Sequence, residues 1–271
     1  MSDRSAIEWT DATWNPVTGC SKVSPGCAHC YAETLSLRYG WSQVPWTPEN
    51  AARNVVLHAE RLEQPLRWRR PRMVFVNSMS DLFHERVPGD YRRDVWKVMD
   101  RVRRHTFQVL TKRPELMRDW VTANADITDP VVPNVWLGTS IENNRWAHRA
   151  DDLRDTPAAV RFISAEPLLG PLNMLDLTGI DWLIVGGESG PRHRPMEHDW
   201  VLELRDHALA AGVAFFFKQW GGRTPKAGGR LLDGRTWDEY PGTRPSSVPP
   251  AGLEVRPVAR PHPIEALPGI R

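Results

Sequence analysis

The sequence has few cysteines, no long apolar run and almost no net charge. Its longest apolar run, Ala211–Phe217, is far too short to cross a bilayer, and Met1–Thr10 has no apolar core of the signal-peptide type. We therefore expect a cytoplasmic protein with no membrane partner. A disulfide framework is not expected in that reducing compartment, and three cysteines cannot all pair within one chain.

The formal net charge of +2 disfavours long-range attraction of the whole molecule to nucleic acid, so any such contact must be local. Two arginine-rich stretches are candidates. The first surrounds Trp68 and comprises Arg61, Arg67, Arg69, Arg70 and Arg72; the second comprises Arg92, Arg93, Lys97, Arg101, Arg103 and Arg104. Apolar residues recur at helical spacing in the second stretch, which we interpret as the solvated face of an amphipathic helix.

From Met73 onward the chain repeats a short apolar run, a polar or glycine-rich cluster and a helical stretch. The predicted strands are Met73–Val76, Phe107–Leu110, Val135–Leu137, Arg161–Ile163, Trp182–Val185 and Val213–Phe217, with a further short strand within Ala12–Val17. The predicted helices are Ala32–Tyr39, Tyr91–Arg104, Pro114–Ala123, Asn144–Arg154 and Asp199–Ala211. Apolar strands that alternate with helices are typical of a parallel sheet covered on both faces.

This pattern predicts an α/β fold, a parallel-stranded (β/α) barrel over residues 1–222. Residues 223–271 are rich in proline and glycine, and we expect an irregular extension that is partly disordered. Trp237 and Tyr240 are predicted to dock its first part on the barrel.

Polar and charged residues stand directly after the predicted strands, and in a parallel barrel all of these positions share one rim. They include Asn77, Ser78, Asp81, Lys112, Arg113, Ser140, Glu142, Ser164, Glu166, Gly186, Gly187, Glu188 and Lys218. Helix capping accounts for serine and asparagine, but carboxylates and cations at strand ends exceed what capping requires. They indicate an active rim, although ion pairs between them would explain the same charges.

The three cysteines, Cys20, Cys27 and Cys30, follow a C-x6-C-x2-C spacing. Pro25 and Gly26 introduce a turn into the loop, so three thiolates can reach a single metal centre. Tetrahedral zinc takes four ligands, and His29 or His84 could complete such a site. A cubane with three cysteine ligands instead leaves one iron open. The absence of a second nearby C-x-x-C favours the open-iron arrangement.

The chain resembles the phage and bacterial three-Cys-motif protein family of unassigned activity, which is itself similar to radical S-adenosylmethionine (SAM) enzymes. The resemblance covers roughly residues 7–222. The motifs that carry it are Ile-Glu-Trp-Thr-Asp-Ala-Thr-Trp-Asn-Pro-Val-Thr-Gly-Cys, Cys-Ala-His-Cys-Tyr-Ala-Glu, Ser-Asp-Leu-Phe, Leu-Thr-Lys-Arg-Pro, Ser-Ala-Glu-Pro-Leu and Gly-Gly-Glu-Ser-Gly.

The resemblance implies a TIM-like partial barrel of the radical SAM type, with a [4Fe–4S] cluster on Cys20, Cys27 and Cys30. SAM would chelate the open iron, and an electron from a donor such as a flavodoxin or ferredoxin would generate a 5′-deoxyadenosyl radical. The expected catalytic residues at the rim are Lys112, Glu166, Glu188 and Lys218. The expected cofactor-binding residues are Asn77, Ser78, Asp81, Ser140, Glu142, Ser164, Gly186 and Gly187.

The sequence departs from the usual radical SAM pattern at the cysteines. Radical SAM enzymes usually have C-x3-C-x2-C with an aromatic residue before the last cysteine, and here the first gap is longer and that residue is His29. A Gly-Gly-Glu often follows the second strand of those enzymes, whereas Asn77–Asp81 stands nearest that position here.

The substrate hypothesis is a nucleic acid or nucleotide, based on the arginine stretches, the phage association and thirteen tryptophans, of which Trp220 is the best candidate for stacking. A partner protein is also possible. The alternatives are a zinc-stabilised nucleic-acid-binding or adaptor protein without catalysis, and a barrel that keeps its cluster for sensing or electron transfer without cleaving SAM.

Overall fold

The computed structural model describes residues 5–125, 129 and 131–242. Its strands are β1 (Ala12–Trp14), β2 (Val17–Thr18), β3 (Val56–Leu57), β4 (Met73–Val76), β5 (Thr106–Thr111), β6 (Val135–Ser140), β7 (Val160–Ala165), β8 (Trp182–Gly186) and β9 (Ala214–Gln219). The helices are α1 (Tyr31–Arg38), α2 (Ala51–Asn54), α3 (Gly89–Arg101), α4 (Pro114–Ala123), α5 (Arg149–Arg154) and α6 (His198–Ala211). Short 3-10 turns occur at Pro25–Cys27, Ala59–Arg61, Gln64–Arg67 and Asn144–Trp146.

Seven strands form one parallel sheet in the order β1-β4-β5-β6-β7-β8-β9, which curls into a half-barrel. The order follows the chain and never reverses, which distinguishes it from a doubly wound sheet. β2 and β3 form a separate antiparallel pair. The predicted α/β class and partial barrel are therefore confirmed, while the finer likeness to the radical SAM type stays a prediction.

Side chains alternate between the two faces of the curled sheet. One face packs against the helices and belongs to the large core, with Val74, Val109 and Leu183 as examples. The face away from the helices holds a smaller aromatic cluster, comprising Trp9, Phe75, Phe162, Trp182, Ile184, Ala214 and Phe216. The inside of the half-barrel is thus closed by packed rings at the amino ends of the strands, which leaves the carboxyl ends as the place for a polar site.

Most strands run further than their apolar runs predict. β6 and β7 extend to Ser140 and Ala165, and β9 extends to Gln219, because polar residues such as Ser164 and Lys218 occupy inward positions of the strands. These residues lie within the ends of the strands rather than after them. The predicted helix Asn144–Arg154 divides into a 3-10 turn capped by Asn143 and the shorter α5.

The first part of the C-terminal segment packs on the sheet. Trp237 is buried, Asp238 forms an isolated bridge with Phe216, and the indole of Trp182 donates a hydrogen bond to the carbonyl of Glu239 (2.8 Å). The part of this segment expected to be disordered beyond residue 242 lies outside the described residues. No helix in the described part of the chain combines the length and apolar character needed to span a membrane.

Candidate functional site

The cysteine loop, residues 19–30, is anchored at both ends. The Gly19 N–H donates to the carbonyl of Met79 (2.9 Å), in the segment after β4. Gly19 has a φ of 83°, and a Cβ there would lie 1.8 Å from the carbonyl oxygen of Asn54, so the position requires glycine. At the other end, α1 begins at Tyr31, directly after Cys30. The loop therefore lies beside the carboxyl end of β4.

All three cysteines are free thiols. The pKa of Cys20 is raised to about 12, mainly by burial and also by the nearby Asp81 carboxylate and Cys27, while Arg113 opposes the rise. Burial also raises the pKa of Cys30 above its ordinary value, again with a contribution from Cys27. Cys20 and Cys30 are therefore protonated near neutral pH, and a metal would bind them with the release of protons.

Three thiols on one short loop have the donor chemistry of a thiolate-ligated iron or zinc centre. Within the described ranges, however, no three His, Cys, Asp or Glu side chains already stand in a metal-binding arrangement. The thiol side chains would have to reorient as a metal binds.

A buried network supports Cys20. The Arg113 guanidinium donates to the Cys20 sulfur (3.7 Å), to both oxygens of Ser21 (3.2 and 3.0 Å) and to Asp81 (3.2 Å). Burial lowers the pKa of Arg113, but Asp81 and its other partners outweigh burial and hold the pKa above its ordinary value. Asp81 also accepts hydrogen bonds from the Thr111 hydroxyl. Asp81 and Arg113 thus join the ends of β4 and β5 to the loop.

Glu142, just beyond β6, holds the middle of the cysteine loop. Its side chain is fully buried and accepts hydrogen bonds from the Ser24 hydroxyl (2.5 Å) and the Arg149 guanidinium (3.1 Å). The Lys112 ammonium lies 3.6 Å from the same carboxylate. A Cβ on Gly26 would come within 2.4 Å of the carboxylate oxygen, so the loop backbone touches Glu142 at that position.

Glu188, just beyond β8, holds the loop near its last cysteine. The carboxylate receives three hydrogen bonds from Arg194, the shortest 2.6 Å, and lies 3.0 Å from His29 Nδ1. Arg194 also donates to the carbonyl of Pro25 (2.9 Å). Burial alone would raise the pKa of Glu188, but the hydrogen bonds from Arg194 and His29 lower it to about 2. The loop is therefore fastened to the rim on both sides of Cys27.

Glu166 follows β7, between the two anchoring glutamates. It lies 2.8 Å from the Lys218 ammonium at the end of β9 and accepts a hydrogen bond from Ser164 (3.1 Å). A Cβ on Gly186 would lie 2.7 Å from the Glu166 carboxylate, so this glycine leaves the space that the carboxylate fills. Gly187 in turn packs against the backbone of Trp220.

Asn77 and Ser78 order the segment after β4. Asn77 adopts a positive φ of 60°, and its side-chain oxygen accepts a hydrogen bond from the Val17 N–H (3.2 Å). Ser78 bonds to the side chain of Asn15, and its carbonyl accepts a hydrogen bond from the Tyr31 hydroxyl. Both residues connect the end of β4 to segments that flank the cysteines.

The structure places all the predicted rim residues at or just beyond the carboxyl ends of β4 to β9. Some of the charged residues pair with one another, which is the alternative explanation for charges at this rim. Lys112 pairs with Glu142, Lys218 with Glu166 and Arg194 with Glu188. These contacts are compatible with binding roles but assign none, so the catalytic and cofactor-binding roles stay predictions.

Four site residues were not predicted from the sequence, namely Asn15, Ser21, Ser24 and Arg149. The contact of Gly26 with Glu142 was not predicted either. The Pro-Gly turn between the cysteines is the only sequence signal that could have drawn attention to Gly26. Arg149 lies on α5, and nothing in its sequence context distinguishes it from a solvated helical arginine.

The predicted zinc partners and stacking residue have contacts of their own. Both ring nitrogens of His84 are engaged, Nε2 with Ser21 (2.9 Å) and Nδ1 with the N–H of Arg86 (3.0 Å). Trp220 donates to the carbonyl of Leu231 (2.9 Å), and its ring is stacked on that of His198. His29 is therefore the better of the two candidate histidine ligands, and the face of Trp220 is at least partly occupied.

The chain matches the model of a protein family described as "Protein of unknown function (DUF5131)" over residues 4–241, and it belongs to that family. The match covers the half-barrel, the cysteine loop and the docked part of the C-terminal segment. No curated protein and no solved structure matches the chain. The family assigns no chemistry to the site.

Proposed function

We propose that this protein is an iron–sulfur enzyme similar to radical SAM enzymes, with a [4Fe–4S] cluster on Cys20, Cys27 and Cys30. The observation that carries the proposal is that three free thiols lie on one loop that is hydrogen-bonded to the carboxyl-end rim of a parallel half-barrel. Active sites of parallel barrels lie at that rim. A cluster with three cysteine ligands keeps one iron available for a further ligand.

When bound, the cluster and SAM would supply a one-electron reductive cleavage of the sulfonium that releases methionine and a 5′-deoxyadenosyl radical, with a flavodoxin or ferredoxin as electron donor. The chain's own residues would position the reactants and exclude water. We assign catalytic roles to Lys112, Glu166, Glu188 and Lys218. We assign cofactor binding to Asn77, Ser78, Asp81, Ser140, Glu142, Ser164, Gly186 and Gly187. The proposed substrate is a nucleic acid or nucleotide.

The contacts already described suggest how the rim would accommodate a charged cofactor. Lys112 and Lys218 are only about one-fifth exposed, and each faces a glutamate across a single contact. A ligand carboxylate could compete for these ammonium groups, while a ligand amine could compete for Glu166. SAM carries both groups, which is why its amino-acid end fits a rim of alternating charges.

The test is anaerobic reconstitution with iron and sulfide, followed by metal and sulfide analysis. We expect about four iron and four sulfide per chain, and loss of loading in Cys27→Ser but not in Lys97→Gln, which changes an exposed residue of α3. Electron paramagnetic resonance of the reduced protein with and without SAM then reports whether SAM binds the open iron. A loaded cluster with no spectral change and no 5′-deoxyadenosine would remove the SAM chemistry and leave sensing or electron transfer.

A second candidate is a zinc-stabilised nucleic-acid-binding or adaptor protein without catalysis. The observation that favours it is the contact between His29 Nδ1 and the Glu188 carboxylate (3.0 Å), since histidines that bind metal usually direct the other ring nitrogen at such a partner. His29 would then join the three cysteines as a fourth ligand. Stoichiometric zinc without iron or sulfide after anaerobic purification, with zinc lost in His29→Ala, would establish the zinc centre of this candidate and contradict the first proposal.

A further inference from the structure

The two arginine-rich stretches, which are separated in sequence, meet on one surface. The Arg104 guanidinium donates to the carbonyls of Leu66 (3.0 Å) and Trp68 (2.8 Å). The N–H of Thr106 donates to the carbonyl of Arg72 (2.9 Å). These bonds fasten the segment between α3 and β5 to the segment before β4. We name the result the arginine surface, and it comprises Arg67, Arg69, Arg70, Arg72, Arg103 and Arg104.

The arginine surface is exposed and little neutralised. All six side chains except Arg72, which is half-buried, belong to exposed residues. Arg103 pairs with Asp100 (2.6 Å), whereas Arg67, Arg69 and Arg70 form no ion pair with any carboxylate of the described residues. The formal net charge of the whole chain is only +2, so a polyanion would be attracted by a local cluster of arginines such as this one and not by the overall charge.

Three basic residues in the body of α3, Arg92, Arg93 and Lys97, do not belong to this surface. Arg92 donates to the carbonyls of Leu82 and His84, Arg93 pairs with Asp90, and Lys97 lies 3.8 Å from Asp94. Only the end of the second arginine stretch therefore contributes. The solvated-face interpretation concerns the helix itself, whereas Arg103 and Arg104 lie beyond its last residue, Arg101.

The arginine surface lies at the opposite end of the half-barrel from the cysteine loop. Arg72 directly precedes β4, and Arg104 lies two residues before β5, so both stand at the amino ends of strands. A six-residue strand such as β5 spans about 20 Å. A ligand on this surface would be separated from the rim by roughly that distance.

We propose that the arginine surface binds the phosphate backbone of a nucleic acid and that it is a docking surface separate from the cysteine rim. Arginine forks match phosphate oxygens, and several clustered arginines release condensed counterions when they bind a polyanion. Trp68 is 6% exposed and packs in the core, so it does not stack on bases. Binding is therefore expected to depend on salt and only weakly on sequence.

A membrane surface is the other polyanion that such a patch could meet, and the structure favours nucleic acid. The exposed large apolar side chains of the described residues all lie outside the two arginine stretches. A surface helix or loop that inserts into a bilayer needs apolar side chains beside its cations, and neither arginine stretch supplies an exposed large one.

The test is fluorescence anisotropy of the full chain with short labelled DNA and RNA oligonucleotides, single- and double-stranded, between about 50 and 200 mM salt. The test variant is Arg67→Gln/Arg69→Gln/Arg70→Gln. Each lost phosphate contact lowers the slope of log affinity against log salt by about 0.9 on a duplex and about 0.7 on a single strand. We expect the slope to fall by about 2 to 3 and the affinity to fall at least roughly a hundredfold near 100 mM salt.

The matched control is Arg53→Gln/Lys97→Gln/Arg145→Gln, which removes the same charge from other exposed positions and is expected to keep the wild-type slope. The proposal is overturned if the wild type does not bind any of the oligonucleotides, or if both triple variants weaken binding equally. It is also overturned if vesicles with anionic lipid bind the protein more tightly than the oligonucleotides do. Circular dichroism confirms that each variant is folded.

The docking surface and the metal centre are tested separately, because the iron, sulfide and zinc content of the same variants is also measured. Normal metal loading with no nucleic-acid binding would remove the docking surface and leave the proposed cluster and SAM chemistry intact. Nucleic-acid binding that persists in Cys27→Ser would confirm that the docking surface acts independently of the cysteines, and binding that disappears in that variant would contradict this separation.

Discussion

Removal of the negative charge of Glu142 is expected to be among the most destabilising single changes at the rim. Glu142 is fully buried and Arg149 is 3% exposed, and their contact distance is 3.1 Å. In Glu142→Gln the amide can still accept the Ser24 hydroxyl, but the guanidinium keeps its charge without a buried counter-charge. Breaking a buried pair in this way costs about 3 to 5 kcal/mol of the free energy of unfolding.

Substitution of its partner, Arg149, is expected to lower the free energy of unfolding by less. In Arg149→Met the Glu142 carboxylate keeps the Lys112 ammonium at 3.6 Å and the Ser24 hydroxyl. The loss is then the Arg149 hydrogen bond to the carbonyl of Ser140 and the contact of the guanidinium with the Trp146 ring, about 1 to 3 kcal/mol together. Because the double variant has no unpaired guanidinium, it should resemble Arg149→Met rather than the sum of the two single changes.

The assay is urea unfolding followed by circular dichroism, with chelator and reductant present so that metal binding does not add to stability. For a chain of this size, about 3 to 5 kcal/mol corresponds to a fall in Tm of roughly 10 °C. Asp100→Asn is the matched control, since it breaks the exposed pair with Arg103 and should change stability by less than about 1 kcal/mol. The reasoning is refuted if Glu142→Gln stays within about 1 kcal/mol of wild type, or if Arg149→Met is the more destabilising change.

Three further predictions concern the loop, the rim and the interior. Gly26→Ala is expected to reduce metal loading severalfold while the chain stays folded, because the added Cβ would collide with Glu142. Gly89→Ala is the control, since its Cβ lies at ordinary contact distance and the variant should bind metal normally. Metal analysis of both variants checks the prediction. The pKa of Glu188 is lowered from 4.5 to about 2, so the stability it contributes is complete above about pH 4.5 and disappears as the pH falls through 2. The difference in urea midpoint between wild type and Glu188→Gln should therefore narrow over that range, and a constant difference would contradict the role of the charge. Phe162→Ala removes a fully buried ring from the interior cluster and should cost about 3 to 5 kcal/mol in urea unfolding; a cost below about 1 kcal/mol would mean that the interior is not packed as described.

The sequence predicts the strands of the half-barrel well because each is a nearly continuous apolar run that helices cover. It predicts strands that end too early, because inward positions at the rim are polar, as Ser164 and Lys218 show. It misses β2 and β3, since two-residue strands have no periodicity to detect. It also misses the break before α5, where Asn143 caps a 3-10 turn.

The candidate site is predictable as a set of residues but not as a set of contacts. The strand-end rule brings Lys112, Glu142 and Lys218 to one rim, yet it does not say which cation faces which glutamate, since the side chains reach several neighbours. The contacts of the cysteine loop are harder still. Ser24 meets Glu142 over a long sequence separation, and only the folded chain brings them together.

The distribution of charge at the rim bears on the thiol chemistry. Glu142, Glu166 and Glu188 follow three neighbouring strands, and each faces at least one cation. Carboxylates beside the loop oppose formation of thiolates by electrostatic repulsion, as Asp81 does at Cys20 even though it pairs with Arg113. The cations that pair with the glutamates act in the opposite direction, as Lys112 does at Cys30, while Glu142 and Glu188 retain their contacts with the loop. If Cys20, Cys27 and Cys30 bind a metal as proposed, the lysines and arginines of the rim would favour their thiolates against the nearby carboxylates.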